Sequence, residues 1–471
     1  MKLMGRGPLV VGLACAGLFA GGANAADLGG DCCADLEERV AELEATTARK
    51  GNRKVSLTVS GWVGEQLLYF DNGVSDDLYV TGIGSTLSSH VKFTGAAQIT
   101  PSVAAGYVLH LEVIGSDPIT ATNQAFQGKG PSAYQIASGD TLQTNNVQTL
   151  YSYWFLKDKT LGQVMVGHIP QASQHAAVLV DGSGTMVAAN WTPINSLAVG
   201  LTRNGVELTA PNPGLGLPVV GFPVGAAMWC GSTSLPTGGN CEPISIDGVR
   251  YDSPTFAGFS ASASWGADDF WDVALRYAGE ISGFKFAAVA AYYHNSDERA
   301  YTGFNTVVGT SNPLKRDAGY FQAGAYLQHV KSGLFLYGAY GKEYNDNILD
   351  DGNAFKLGIP GNLTAEQPDG HVWYIKAGIR QNWLPLGATV LYGEYEERND
   401  MFHPDMIALG VDGSQNKQWG LGLVQEIDAA AMSLWLTYRN YETSFSGPGV
   451  AGAFDNLDDI DVVTAGAMIS F

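Results

Sequence analysis

From Lys54 to Phe471 the chain keeps a two-residue rhythm, and nothing else in it constrains the fold as tightly. Val55, Leu57 and Val59 alternate with Ser56, Thr58 and Ser60. Tyr107, Leu109, Leu111 and Val113 alternate with Gly106, Val108, His110 and Glu112. Successive side chains of a strand point to opposite faces, so each segment carries one apolar face and one wetter face. Counting these segments gives about sixteen strands of roughly ten residues. The connections are sorted too. Short turns fall at 100–102, 157–159, 253–255, 281–283, 331–333, 384–386 and 428–429. Between them lie long loops at 71–88, 114–145, 170–247, 294–316, 345–370, 398–416 and 442–459, with one brief exception at Ala267-Asp268-Asp269.

Short turns at one end and long loops at the other are the habit of a barrel that crosses a membrane. Composition agrees, with 15% charged residues, mean hydropathy +0.00 and 60 glycines. No apolar run reaches the roughly 20 residues a spanning helix needs. In hydrocarbon every backbone polar group must be paired within the protein, so the sheet must close. The expected fold is an all-β transmembrane antiparallel barrel with an even strand count, spanning residues 54–471. Its last strand puts Val463, Ala465, Ala467, Ile469 and Phe471 on one face. A terminal aromatic closing an amphipathic strand resembles the signal read by the barrel-assembly machinery of the outer membrane.

Residues 1–25 read as a signal peptide: Lys2 and Arg6 form the positive region, residues 9–20 the apolar region, and Ala23-Asn24-Ala25 the cleavage site. Removing the two cations moves the formal charge from −20 to −22, which argues against a nucleic-acid partner. Residues 26–53 hold a short periplasmic helix, with Leu36, Val40 and Leu43 at four-three spacing. Two readings stand for it: a small trimeric coiled coil joining copies of the chain, or a lone helix on the periplasmic rim. Cys230 and Cys241 sit in a Gly/Pro-rich stretch of an exported chain, where a loop-stapling disulfide is expected; metal binding is the rival, but no histidine lies near either. The adjacent Cys32 and Cys33 leave inter-chain links and free thiols open.

Three stretches resemble the trimeric porins of alphaproteobacteria: ADLEERVAELEATT at 34–47 running into KVSLTVSG at 54–61; DGSGT at 181–185; and RYDSPTFAG at 250–258, continuing through SASWG at 262–266 and WDVALRYAG at 271–279. The likeness covers essentially the whole mature chain. It implies a sixteen-stranded homotrimer whose loop after the fifth strand, within 170–247, folds into the lumen as a constriction. That loop is less acidic than the resemblance leads one to expect, with Asp181 as its only acid between Pro170 and Val187.

Parity assigns Lys92, Arg250, Arg276, Lys285, Lys376, Arg380 and Arg439 to the lumen, since a charge in lipid near the midplane costs about 2–4 kcal/mol. A basic wall opposite Asp181 would set a transverse field that selects solutes by charge. The competing reading pairs these cations with nearby acids, such as Arg250 with Asp252. Glu65 shares the parity of Val59 and Val63, so either a bulge near Gly61 or Gly64 or burial between subunits is expected there. The function these features imply is a passive, water-filled channel of the bacterial outer membrane for small hydrophilic solutes and ions. Its partners would be further copies of itself, outer-membrane lipid and lipopolysaccharide. No cofactor and no metal is expected; the acids at Asp346, Asp350 and Asp351 and at Asp455, Asp458 and Asp459 lack calcium-loop spacing. A substrate-specific channel is the alternative, for which Trp62, Trp154, Tyr374 and Trp435 would supply an inward aromatic track. A structural envelope anchor is the alternative of another class. An enzyme would need a Ser or Cys nucleophile with a positioned His, and the eight histidines form no motif.

Overall fold

The structure is a computed structural model. It describes residues 55–84, 87–113, 147–190, 199–211, 218–220, 222–228, 235–237, 240–242, 245–266, 269–296, 318–345, 368–402, 406 and 410–471. The expected signal peptide, the expected helix with Leu36, Val40 and Leu43, and Cys230 fall outside these residues.

Sixteen antiparallel strands close into a barrel. They are β1 Thr58–Asp71, β2 His90–Gln98, β3 Val103–Val113, β4 Val147–Asp158, β5 Gly162–Ile169, β6 Ile246–Asp252, β7 Phe259–Gly266 and β8 Trp271–Ile281. The second half comprises β9 Phe284–Asn295, β10 Ala318–His329, β11 Leu334–Asn345, β12 His371–Leu384, β13 Gly387–Asn399, β14 Gly413–Ile427, β15 Met432–Ser446 and β16 Ile460–Ser470. Closure is made by β1 against β16, with Trp62 opposite Ser470 and Asp71 opposite Asp461. Phe471 extends this seam by exchanging backbone hydrogen bonds with Gly61. The first and last strands thus pair with each other, the closure that a bilayer requires. Among the described residues no helix is long and apolar enough to cross a membrane.

The outer face is a continuous apolar belt. Leu67, Val249, Trp265, Trp271, Leu275, Leu336, Ile375, Leu421, Leu436 and Ile469 are all exposed on it. The inward reading of Trp154 is corrected. Tyr153 faces inward, into a cluster with Val108, Met165 and Ile169, and Trp154 faces outward at 50% exposure. Pairing is the cause: Tyr107 stands opposite Trp154 and Val108 opposite Tyr153, and directly opposed residues share a face. Aromatic side chains on both faces of β4 hide this from the sequence. Glu65 does lie on the outer face between Val63 and Leu67, and β1 runs through it without a register shift, so no bulge accounts for it.

Candidate pore constriction

After β5 the chain turns inward at Pro170, and residues 171–190 lie inside the barrel against a wall that runs from β6 round to β16 and β1. The segment carries one short helix, α1 Ala176–Leu179, and a wide turn at Met186–Asn190. Its apolar residues explain where it sits. Ala176 packs on Ala274, Val289 and Ala291. Ala177, Val178, Ala188 and Ala189 pack into a cluster with Tyr326, Tyr337, Tyr374, Tyr392 and Trp435. The run Ala176-Ala177-Val178 lacks charge because it forms a dry core inside the barrel. Close approach is needed at Gly324, where a Cβ would collide with the Ala177 carbonyl oxygen.

Polar contacts then hold each turn of the loop. Asp272 accepts from the Ser173 N–H and hydroxyl, each at 2.6 Å. The Gln322 amide accepts from Ala177 N–H and donates to Ser173 C=O, both at 2.9 Å. The Tyr337 hydroxyl donates to Ala177 C=O at 2.9 Å. Helix α1 is followed by DGSGT, which is a compact anchor. Asp181 Oδ1 accepts from Ser183 N–H at 3.0 Å, the Ser183 and Thr185 hydroxyls are 2.8 Å apart, and Gly184 takes φ +84°. A Cβ at Gly184 would meet the Arg380 guanidinium.

Five of the basic residues assigned to the lumen grip this loop. Arg250 donates to the carbonyls of Pro170 and Gln171 at 3.1 and 2.8 Å. Arg276 donates to Ala172 C=O. Lys376 donates to Asp181 Oδ2 and to Asn190 Oδ1, each at 2.6 Å. Arg380 donates to Ser183 C=O at 3.3 Å and bidentately to Glu426 at 2.5 and 2.6 Å. Arg439 donates to Ala188 C=O and to Glu394 at 2.6 Å. Arg250 is also paired with Asp252 at 2.8 Å. The inward cations are thus a docking ladder for the loop rather than a bare wall facing water. Asp181 and Lys376 both have zero side-chain exposure, so their charges cancel inside the dry core. Lys92 lies opposite Ser60 and His110, and Lys285 opposite Glu280 and Gln328; both are half-buried and stand apart from the loop.

The aromatic track does not assemble. Trp62, Tyr374 and Trp435 point inward but are buried; Trp62 donates to Leu87 C=O at 2.9 Å, and Trp154 is on the lipid face. Above the loop, its return segment seals part of the mouth. Asn72 donates to Gly200 C=O at 2.9 Å, Arg203 pairs with Asp455 at 3.0 Å, and Asp458 accepts from Gly205 N–H at 2.8 Å. Cys241 is buried and disulfide-bonded. Among the described residues no group of three or more His, Cys, Asp or Glu side chains could hold a metal ion.

A closed barrel with an apolar belt and a loop folded across its lumen is a diffusion channel of the bacterial outer membrane. The family comparison makes this specific: the chain belongs to the Gram-negative porin family, whose model matches residues 12–446. Among solved structures it is similar to the anion-selective porin from Comamonas acidovorans, at 14% identity and TM-score 0.50, covering 88% of this chain and 100% of that one. It is also similar to the Salmonella typhi OmpF complex with daunomycin, at 11% identity and TM-score 0.48, covering 90% and 99%. At 14% identity the likeness to the Comamonas acidovorans porin concerns the fold alone. No curated protein matches the chain.

Proposed function

We propose that the chain is a homotrimeric general diffusion porin, of the group found in alphaproteobacteria, passing small hydrophilic solutes and ions without a preferred substrate. The observation that carries this is the loop of residues 171–190, held inside the barrel by Arg250, Arg276, Lys376, Arg380 and Arg439. A fixed constriction sieves by size, and among the described residues the inward aromatics Trp62, Tyr374 and Trp435 are buried and form no track along the lumen. In this reading the water-facing Lys92 and Lys285 tune charge preference, while Asp181 is a structural anchor. Leu36, Val40 and Leu43 join three copies. Phe471 is the signal for the assembly machinery. The exposed belt meets lipid and lipopolysaccharide. Cys230 pairs with Cys241 and staples the loop extension, which non-reducing peptide mapping checks directly.

Planar-bilayer recording in a salt gradient tests the proposal. Expected are triplet steps of ohmic conductance that no sugar or anion blocks at saturation. Saturable competition by one solute would replace this with a substrate-specific channel, and no conductance at all with an envelope anchor.

A further inference from the structure

Pairing of β5 with β6 brings together three residues that the channel does not use. Asp247 lies directly opposite His168, and Ser245 precedes β6 by one residue. His168 Nδ1 is 2.9 Å from Asp247 Oδ1, and His168 Nε2 is 2.7 Å from the Ser245 hydroxyl. A carboxylate can only accept, so Nδ1 carries a proton, and in the neutral ring Nε2 then accepts from the hydroxyl. That is the order nucleophile, base, orienting acid that acyl transfer by serine needs, recognised by geometry and not by sequence position.

The location suits a particular substrate. His168 and Asp247 side chains are reachable from outside, at 33% and 82% exposure. They sit on the outer face of the barrel at its extracellular end, where β5 leads into the inserted loop and β6 returns from it. Directly below them on the same face run the opposed pairs Val166 with Val249 and Val164 with Tyr251, with Val164, Val249 and Tyr251 exposed. An acyl chain lying on this apolar strip would bring its ester to the level of Ser245.

We propose that Ser245, His168 and Asp247 form a second site, independent of the pore, that hydrolyses carboxylic esters of fatty acyl chains at the outer interface. Ser245 Oγ forms a bond to the acyl carbon while its proton passes to His168 Nε2. The tetrahedral adduct collapses, breaking the acyl carbon–alkoxide bond, and the Nε2 proton leaves with the alcohol. Water, activated by the same nitrogen, then cleaves the acyl-serine ester to release the carboxylic acid and restore the hydroxyl. Asp247 is a positioning residue, holding the imidazole in the reactive tautomer.

The test uses the full mature protein in detergent. A fluorophosphonate probe followed by peptide mass spectrometry should place an adduct on Ser245, and Ser245→Ala should abolish it. His168→Gln should slow labelling at least about 100-fold. Hydrolysis of a p-nitrophenyl acyl ester and of phospholipid vesicles is assayed in parallel; activity on either supports the site and identifies the source of the ester. Asp247→Asn should lower turnover and change its pH profile. Absence of an adduct on Ser245, equal labelling of the His168→Gln protein, or no hydrolysis in either assay overturns the proposal. Single-channel conductance of Ser245→Ala, expected to be unchanged, separates this failure from failure of the pore itself.

Discussion

Asp181 is the residue at which a field across the pore and a clamp on the loop predict opposite results. Its carboxylate and the Lys376 ammonium are 2.6 Å apart with no exposed side-chain surface on either. Lys376 retains Asn190 as a second acceptor and lies within 5.3 to 5.9 Å of the ring centres of Tyr337, Tyr374 and Tyr392. Removing one partner of a buried pair leaves an uncompensated charge and costs about 3–5 kcal/mol, whereas replacing both by apolar groups is often near neutral. Lys376→Met should therefore free the loop more than Asp181→Asn, because the amide introduced by the latter still offers an oxygen to the ammonium. The double replacement Asp181→Leu with Lys376→Met should recover most of the loss. The assay is a double-mutant cycle, with Asp181→Leu alone as its fourth protein, on thermal unfolding in detergent, with limited proteolysis of residues 171–190 and single-channel noise on the same proteins. Loosened loops should digest faster and flicker, while the reversal potential in a salt gradient stays near that of the parent. A clear reversal-potential shift in Asp181→Asn, with loop digestion unchanged, would show that Asp181 faces water and refute the clamp.

Three further outcomes follow from the geometry. Gly324→Val should push α1 off the wall, since even a Cβ there collides with the Ala177 carbonyl oxygen; a loss of about 1–3 kcal/mol and an altered unit conductance are expected in unfolding and bilayer measurements. Trp154→Arg should cost about 2 kcal/mol or more in refolding into lipid vesicles, as a cation on the lipid face does; a neutral result would return Trp154 to the lumen. The Asp455 carboxyl is held below its ordinary value first by a backbone hydrogen bond with Gly452 and then by Arg203. A depressed carboxylate stabilises the folded form above its unfolded value and loses that contribution as pH falls. The tether between the loop's return segment and residues 447–459 should therefore weaken below the ordinary aspartate value of 3.8, read as faster proteolysis near Arg203 at low pH in the parent but not in Arg203→Gln.

The barrel itself was legible in the sequence because its cause is local. A period of two, with connections alternating short and long, leaves a membrane chain no solution but a closed sheet. Parity was legible wherever one face is plainly apolar, which is why Lys376, Arg380 and Arg439 could be assigned inward. It failed at Trp154, where both faces of β4 are aromatic and only the register against β3 decides. The pairing of Arg250 with Asp252, two positions away on one strand, was legible; the fate of the inward charges that meet distant partners was not. Asp181 and Lys376 are 195 positions apart, and their contact depends on how far the inserted loop reaches across the lumen. The same holds for Ser245 and His168, separated by 77 positions and joined by one strand pairing. Periodicity reports which way a side chain points; what it meets there is set by the closure of the barrel and the docking of its loop, which only the tertiary structure decides.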